Sequence, residues 1–309
     1  MKKTASKQKR NEAIFIICML ALPIFHFLVF WLYKNFSSIA LAFQDELTGE
    51  WGFSNFERFF NQISKDWQAD KGIKVCIENT FLTALQRMFV TTPLVVFASY
   101  VLFKRYFGHM FYRVVFYIPG IVGTVITATM LSYILDATGP IVKFGDLMGI
   151  QWGFDVLQTG LLGNNGSARI TYFVTAMITV AGGTVLLLTG ALQKIPQDLF
   201  DSMKLDGVGM FNEFIHLVVP CCWSTIGIMW IMTFANVWGD YSRVMLLTGG
   251  AYKTNNFAYY LFASTLSAIN GKESYNYPAA IGLLLTAIIA PATLILRWLA
   301  NKIVEPVEF

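Results

Sequence analysis

Charge is scarce in this chain of 309 residues: 14% are Asp, Glu, Lys or Arg, against 55% hydrophobic and 16% aromatic. A soluble globular protein carries about a quarter charged residues, so an ordinary water-facing surface is excluded and an integral membrane protein is expected. The net charge of +4 is too small to point to nucleic acid, and the basic residues cluster near the ends of apolar runs, as membrane topology dictates. Histidine is nearly missing. His26, His109 and His216 stand apart from one another, and none has catalytic company. The four cysteines form no C-x-x-C or Cys/His spacing, which excludes an evident metal site or disulfide framework. Cys18, Cys221 and Cys222 lie in or beside apolar runs and read as buried thiols, whereas Cys76 reads as standing in a polar connection. No G-x-x-x-x-G-K-[ST] loop is present to cradle nucleotide phosphates, and neither H-E-x-x-H nor G-x-S-x-G occurs. No catalytic residue, metal or cofactor is expected, and any ATP must be bound by another chain.

What is abundant is long apolar sequence. A bilayer-crossing helix needs about 20 mostly apolar residues, and six runs qualify: Ala13–Tyr33, Thr80–Phe103, Val114–Leu135, Ile170–Leu192, Val218–Trp238 and Ala279–Leu299. The first follows the basic stretch MKKTASKQKR but is too long for a secretory signal core and lacks a cleavage site, so it reads as a retained anchor. Lys and Arg crowd three places: ahead of the first run, between the second and third (Lys104, Arg105, Arg113), and around the end of the last (Arg297, Lys302). With six spans all three fall on one side, the cytoplasmic one, and both termini are inside. The longer connections 34–79, 136–169 and 239–278 then face outward, where acids such as Asp45, Glu50, Asp66 and Asp70 balance the bases. The expected organisation is an all-α membrane protein: a basic cytoplasmic N-terminus 1–12, a first span with its outer loop 13–77, a five-span core 78–301, and a cytoplasmic tail 302–309.

One polar stretch interrupts the core. IPQDLFDSMKLDGVGMFNEFIHLVVP, residues 195–220, carries Asp198, Asp201, Lys204, Asp206 and Glu213 between two apolar runs. Pro196 suits a first helical position, Asp198 and Asp201 suit the positive end of the dipole, and Gly207 suits a left-handed stop. Leu199, Phe200 and Met203 form an apolar ridge. An amphipathic surface loop is one reading, but such helices carry a Lys/Arg-rich polar face, and here three Asp face two Lys. A docking surface for a soluble partner fits better.

The stretch resembles the Glu-Ala-Ala loop of bacterial ABC-importer permeases, I-P-x-x-L-[YF]-E-A-A-x-x-D-G-A followed by a Phe and a terminal L-P, through Ile195, Pro196, Leu199, Phe200, Asp201, Ser202, Met203, Asp206, Gly207, Val208, Phe214 and Pro220. Asp replaces the Glu, Ser-Met the Ala pair and Val208 the last Ala; the shorter acid and the bulky Met imply a tailored partner cleft. Further segments are similar to carbohydrate-uptake permeases of the maltose and glycerol-phosphate kind: WGFSNFERFF at 51–60, ENTF at 78–81, RVVFYIPGIV at 113–122, AGGTVLLLTGALQKIP at 181–196 and LLTGGAYKTNNFAYYLF at 246–262, the last with Ala251 for Pro. The resemblance implies a type I importer permease of six helices working by alternating access. It implies a second permease, two ATPase subunits and an extracytoplasmic binding protein as partners, and a carbohydrate, of oligosaccharide size, as cargo. Pro196, Leu199, Phe200, Asp201, Met203, Asp206 and Gly207 would then form the coupling contact with the ATPase within the loop 193–220; Asp206 alternatively caps the following turn.

For the cargo path, polar positions inside apolar runs are the candidates. Arg87, well inside the second run, is a substrate contact, a partner for another group, or a snorkelling cation, with pairing preferred. Thr124, Gly182 and Gly183 lie where the family's path runs, though small residues equally allow close helix packing. Tyr259, Tyr260, Ser264 and Asn270 line an outer mouth or sit in the aromatic interface belt. The competing class is a self-sufficient secondary transporter, which calls for intramembrane carboxylates and internal repeats; no Asp or Glu is central in any run. A structural scaffold leaves the motif spacing unexplained.

Overall fold

The computed structural model describes residues 2–45, 48–105, 108–271 and 274–303; the side-chain surroundings of residues 2–10, 12, 119, 178–182 and 303 are outside the description. The expected tail 302–309 therefore falls almost wholly outside it. The described residues are mostly helix, and the one strand-like pairing among them is an isolated antiparallel bridge between Gln44 and Trp51. Two compact units emerge, Met1–Asn61 with Ser264–Thr286, and Gln62–Ala263 with Ala287–Phe309.

In the first unit, helix runs without interruption from Ala13 to Phe43, ten residues past the expected end at Tyr33. The polar stretch Lys34–Ser38 stays helical, with Asn35 and Ser38 donating to the Trp31 and Lys34 carbonyls one turn back. Asn55 then stops the chain from wandering: its amide donates to the carbonyls of Ala42 and Gln44, at 3.2 and 2.7 Å. Asn276 donates to Gln44 as well, at 2.8 Å. Phe43, Phe53 and Phe56 pack edge and tilted around this corner, and Arg58 lies 4.5 Å over the Tyr277 ring. The WGFSNFERFF segment is thus a helix-end fastening.

In the second unit the central element is a continuous helix from Ile73 to Phe103. It starts seven residues before the expected span and takes Cys76 with it. Cys76 is fully buried, so the reading of an accessible polar connection is corrected: the charged Lys74 and Glu78 flank it, while Cys76 itself faces the core. Asn79 and Thr80 of the ENTF segment are also fully buried, Asn79 donating to the carbonyls of Lys253 and Asn255 and Thr80 accepting from the Phe257 amide. Residues 87–91 widen into a π-helical turn just before Pro93. Proline has no N–H to give, and the Thr92 hydroxyl caps the Arg87 carbonyl at 2.8 Å. The same device recurs at 214–218 ahead of Pro220.

The expected third span is two helices, His109–Ile121 and Thr124–Ile134, because Val122 is extended (φ −72°, ψ 132°) and Gly123 follows it. The fourth is one helix, Ala168–Leu192. The fifth is a pair, Met210–Cys221 and Trp223–Val237, bent by 72°. The last helix runs from Asn276 to Ile303. By length and composition three described helices can cross a membrane, four if the bent pair counts as one. A core of Val95, Tyr100, Val185, Leu188, Leu192, Val218 and Ile226 joins the helices of the second unit, and Trp223 donates to the Ala300 carbonyl at 2.9 Å.

Candidate functional site

The polar stretch folds as the sequence suggests. Helix spans Gln197–Leu205, with Pro196 one place ahead of the expected first helical position, as the extended residue (φ −55°, ψ 134°) on which the helix starts. Gly207 takes φ +69°, and the stop is a Schellman turn: Val208 donates to Met203 and Gly207 to Lys204, both at 3.1 Å. Of the ridge, Phe200 is fully buried and packs 5.6 Å from Phe103, with Leu199 and Met203 half-buried beside it. Asp198, Asp201 and Leu205 share the opposite, outward face, and Leu205 is 88% exposed. Asp206 and Gly207 are exposed too, and the next helix starts at Gly209 without a side-chain cap. Lys204 and Gln197 hydrogen-bond the Asp201 carboxylate and hold it below the ordinary carboxylate range, while Asp201 raises the Lys204 ammonium.

Behind Phe200 lies a buried charge pair. Lys104 Nζ meets Glu213 Oε1 at 2.5 Å, and Tyr100 donates to the same oxygen at 2.9 Å. The Lys104 ammonium also sits 4.5 Å over the Phe200 ring. The short helix is therefore fastened by an aromatic plug under a cation to the end of the Ile73–Phe103 helix. A cavity of about 510 Å³ opens beside it, lined by Lys104, Arg105, Arg113 and Lys204 among others, with no acid among the described residues of its wall.

A second construction lies farther along the same helix. Arg87 Nη2 contacts Asp240 Oδ2 at 2.5 Å, and Arg243 Nη2 reaches that oxygen at 3.2 Å. Arg243 also stacks over Tyr172 at 5.0 Å, and Asn256 donates to the Asp240 backbone carbonyl at 2.8 Å. Two cavities meet at Arg87. One, about 200 Å³, is lined by Arg87, Thr124, Asp240, Ser242 and Arg243 with apolar neighbours. The other, about 320 Å³, is lined by Arg87, Gly183, Thr184, Met232, Thr233 and Asn236 with Leu187, Ile228 and Met229. Arg87 thus lines both cavities, Thr124 one of them and Gly183 the other. Gly182 is in the adjoining helix, among residues whose surroundings are outside the description. Tyr259 and Tyr260 are half-buried on the Phe257–Ile269 helix and line neither cavity; Tyr259 packs near Phe262, which stacks on Tyr241. Ser264 and Asn270 belong to the other unit. Asp240 and Arg243 escaped the sequence reading; the signal was WGDYSR, a charged pair directly after an apolar run.

No protein-family model matches the chain. The probable ABC transporter permease YurN of Bacillus subtilis is 26% identical over 141 residues, 45% of this chain and 47% of that protein, so the chain aligns with about half of it. The permease NgcF of a diacetylchitobiose uptake system in Streptomyces coelicolor is 23% identical over 298 residues, 90% of this chain and 80% of that protein. Crystal structures of a bacterial ABC importer of alginate, one in complex with alginate pentasaccharide-bound periplasmic protein, match with a TM-score of 0.78 at 18% identity, covering 97% or 98% of this chain and 99% of that chain. The chain has the fold of an ABC-importer permease, and the sequence relatives are ABC transporter permeases, several of them named for saccharide uptake.

Proposed function

We propose that the chain is the membrane-spanning permease subunit of a type I ABC importer in a bacterial cell membrane, moving a carbohydrate of oligosaccharide size. On this reading it pairs with a second permease, takes cargo from an extracytoplasmic binding protein, and is driven by two ATPase subunits on separate chains. Six spans place both termini inside, with the first span and outer loop at 13–77 and the transporting core at 78–301. The kinship with sugar permeases and the fold favour this over an ion-coupled transporter.

The observation that carries the reading is the Gln197–Leu205 helix. Its apolar side is committed to the chain's own core, yet it turns outward a face with Asp198, Asp201 and a Leu exposed almost completely. Exposed Leu205 flanked by Asp198 and Asp201 gives the helix an outer face of mixed apolar and acidic character, open to a soluble partner. Asp201, Asp206 and Gly207 meet the ATPase directly, while Pro196, Leu199, Phe200 and Met203 hold the helix so that force on it is passed to the Ile73–Phe103 helix.

The test is affinity purification of the full chain from its native membrane. ATPase subunits should come with it, and Leu205→Glu should cut their recovery and ATP-driven sugar uptake together while leaving the amount of inserted chain unchanged. A chain that never brings down an ATPase, or a variant with undiminished uptake, sinks the reading.

A further inference from the structure

The charges around the two cavities do not balance. Arg87, Arg243 and Asp240 are the charged residues lining them, two cations to one anion. Both arginines are more than nine-tenths buried, 7% and 5% exposed. Asp240 spends one oxygen on both of them. Arg87 Nε and Arg243 Nε and Nη1 have no hydrogen-bond acceptor among the described residues. An uncompensated buried cation is costly, and so is each unmet donor. Structural ion clusters avoid this by matching charges; this one leaves an excess positive charge on two arginines that line open space, with the unmet Nε and Nη1 donors buried just behind the cavity wall.

We propose that this double cavity is a binding site for an anionic sugar, one bearing a carboxylate or a phosphate group. The inference rests on the importer reading for its cargo and narrows it. A guanidinium offers a planar fork of donors that suits either anion; one carboxylate brings the cluster to neutrality, and a phosphate monoester, at about −1.5 to −2, more than offsets the excess. The rest of the wall fits the sugar: Thr124, Ser242, Thr184, Thr233 and Asn236 offer hydroxyl and amide partners, and Met229 and Met232 offer an apolar floor. Tyr172 under Arg243 holds that guanidinium in one plane. Asp240 keeps the excess at a single charge, so that the bound anion is not trapped.

The experiment measures equilibrium binding to the full chain in nanodiscs of phosphatidylcholine, which contain no anionic lipid. The probes are trigalacturonate, glucose 6-phosphate and the neutral galactotriose. Wild type should prefer an anionic probe to galactotriose; whichever one it prefers identifies the group. Arg243→Gln should weaken that probe about tenfold, the scale of one charge-assisted hydrogen bond, and Arg243→Lys should recover part of it. Asp240→Asn should tighten the anionic probe, since it raises the excess charge. A merely structural cluster behaves differently: both variants weaken every probe alike, and that result overturns the proposal. Equal binding of charged and neutral probes by wild type, or binding of none, overturns it too. Should Arg243→Gln fail to fold, Asp240→Asn decides by whether the anion binds more tightly or not. The two readings fail separately. ATP-driven uptake of neutral sugar without preference for an anion removes this inference and leaves the importer; anion binding without ATP-driven uptake removes the importer and leaves the site.

Discussion

One helix carries both buried ion clusters, about 25 Å apart along its axis at 1.5 Å per residue, and they are built on opposite principles. At its Phe103 end, one Lys faces one Glu, a tyrosine hydroxyl donates to the same carboxylate, and two rings wrap the ammonium. Charges there sum to zero. At Arg87, two guanidinium groups share one carboxylate oxygen and keep donors in reserve. Both border open space, Lys104 the cavity of about 510 Å³ beside the short charged helix and Arg87 the two smaller ones, so what separates them is the pairing of the charges themselves. The difference teaches a reading rule: charge balance and donor satisfaction distinguish a fastening from a receptive surface, where burial alone does not.

The comparison breaks most readily at Glu213. Replacing it with Ala leaves the partly buried Lys104 without its anion and should destabilise the chain by about 2–3 kcal/mol, less than for a fully buried pair because Lys104 also lines a cavity, read as a lowered thermal unfolding midpoint in detergent. A loss below about 1 kcal/mol would show that the pair behaves as an exposed one. Gly207→Val comes next. Nothing lies within 4 Å of the added Cβ, so the penalty is backbone strain alone, about 1–2 kcal/mol. Insertion should survive while ATP-driven uptake falls, and unaltered uptake would detach the Schellman stop from coupling. Arg243→Met should be milder still, within about 1 kcal/mol, because the lost ring contact is offset by relief of the excess charge. A destabilisation equal to that of Glu213→Ala would make the second cluster a fastening like the first.

The smallest effect belongs to an exposed pair. Asp70 is bound by Lys74 and Lys253, at 2.8 and 3.1 Å, and their hydrogen bonds lower its pKa from 3.8 to about 2. A carboxyl depressed in the folded state adds stability that is complete above the unfolded value and lost as pH falls towards 2. Stability should therefore slope gently downward only below about pH 4, and Asp70→Asn should flatten that slope. A variant with the same acid slope as wild type would remove Asp70 from the account.

What could be read in the sequence followed local rules. Gly207 signalled its left-handed stop, and Leu199, Phe200 and Met203 their inward side, because helix ends and helical spacing are decided within a few residues. Boundaries of the apolar helices were harder. Lys34–Ser38 is polar enough to suggest an end, but backbone bonding continues through it and side chains donate back along the helix. The extended Val122 and the 72° bend after Cys221 reflect packing that no apolar run reveals. Arg87 was visible as an oddity in its run. Its partner was not, since Asp240 is 153 positions away and only the fold brings the two together.

The widened turn at 87–91 has an arithmetic consequence. Its backbone closes one residue later than an α-helix does, with the Thr92 amide reaching back to the Arg87 carbonyl. The helix therefore carries one residue more than its length requires, and that surplus fixes the angle between the directions in which Arg87 and Lys104 point. Excising a single residue such as Phe89 would let the turn relax to ordinary α-helix, and everything beyond it would keep its present bearing. Excising one residue elsewhere in the helix would swing Lys104 by about 100° away from Glu213. The turn is the one place in this helix where the chain can lose a letter and keep its sense.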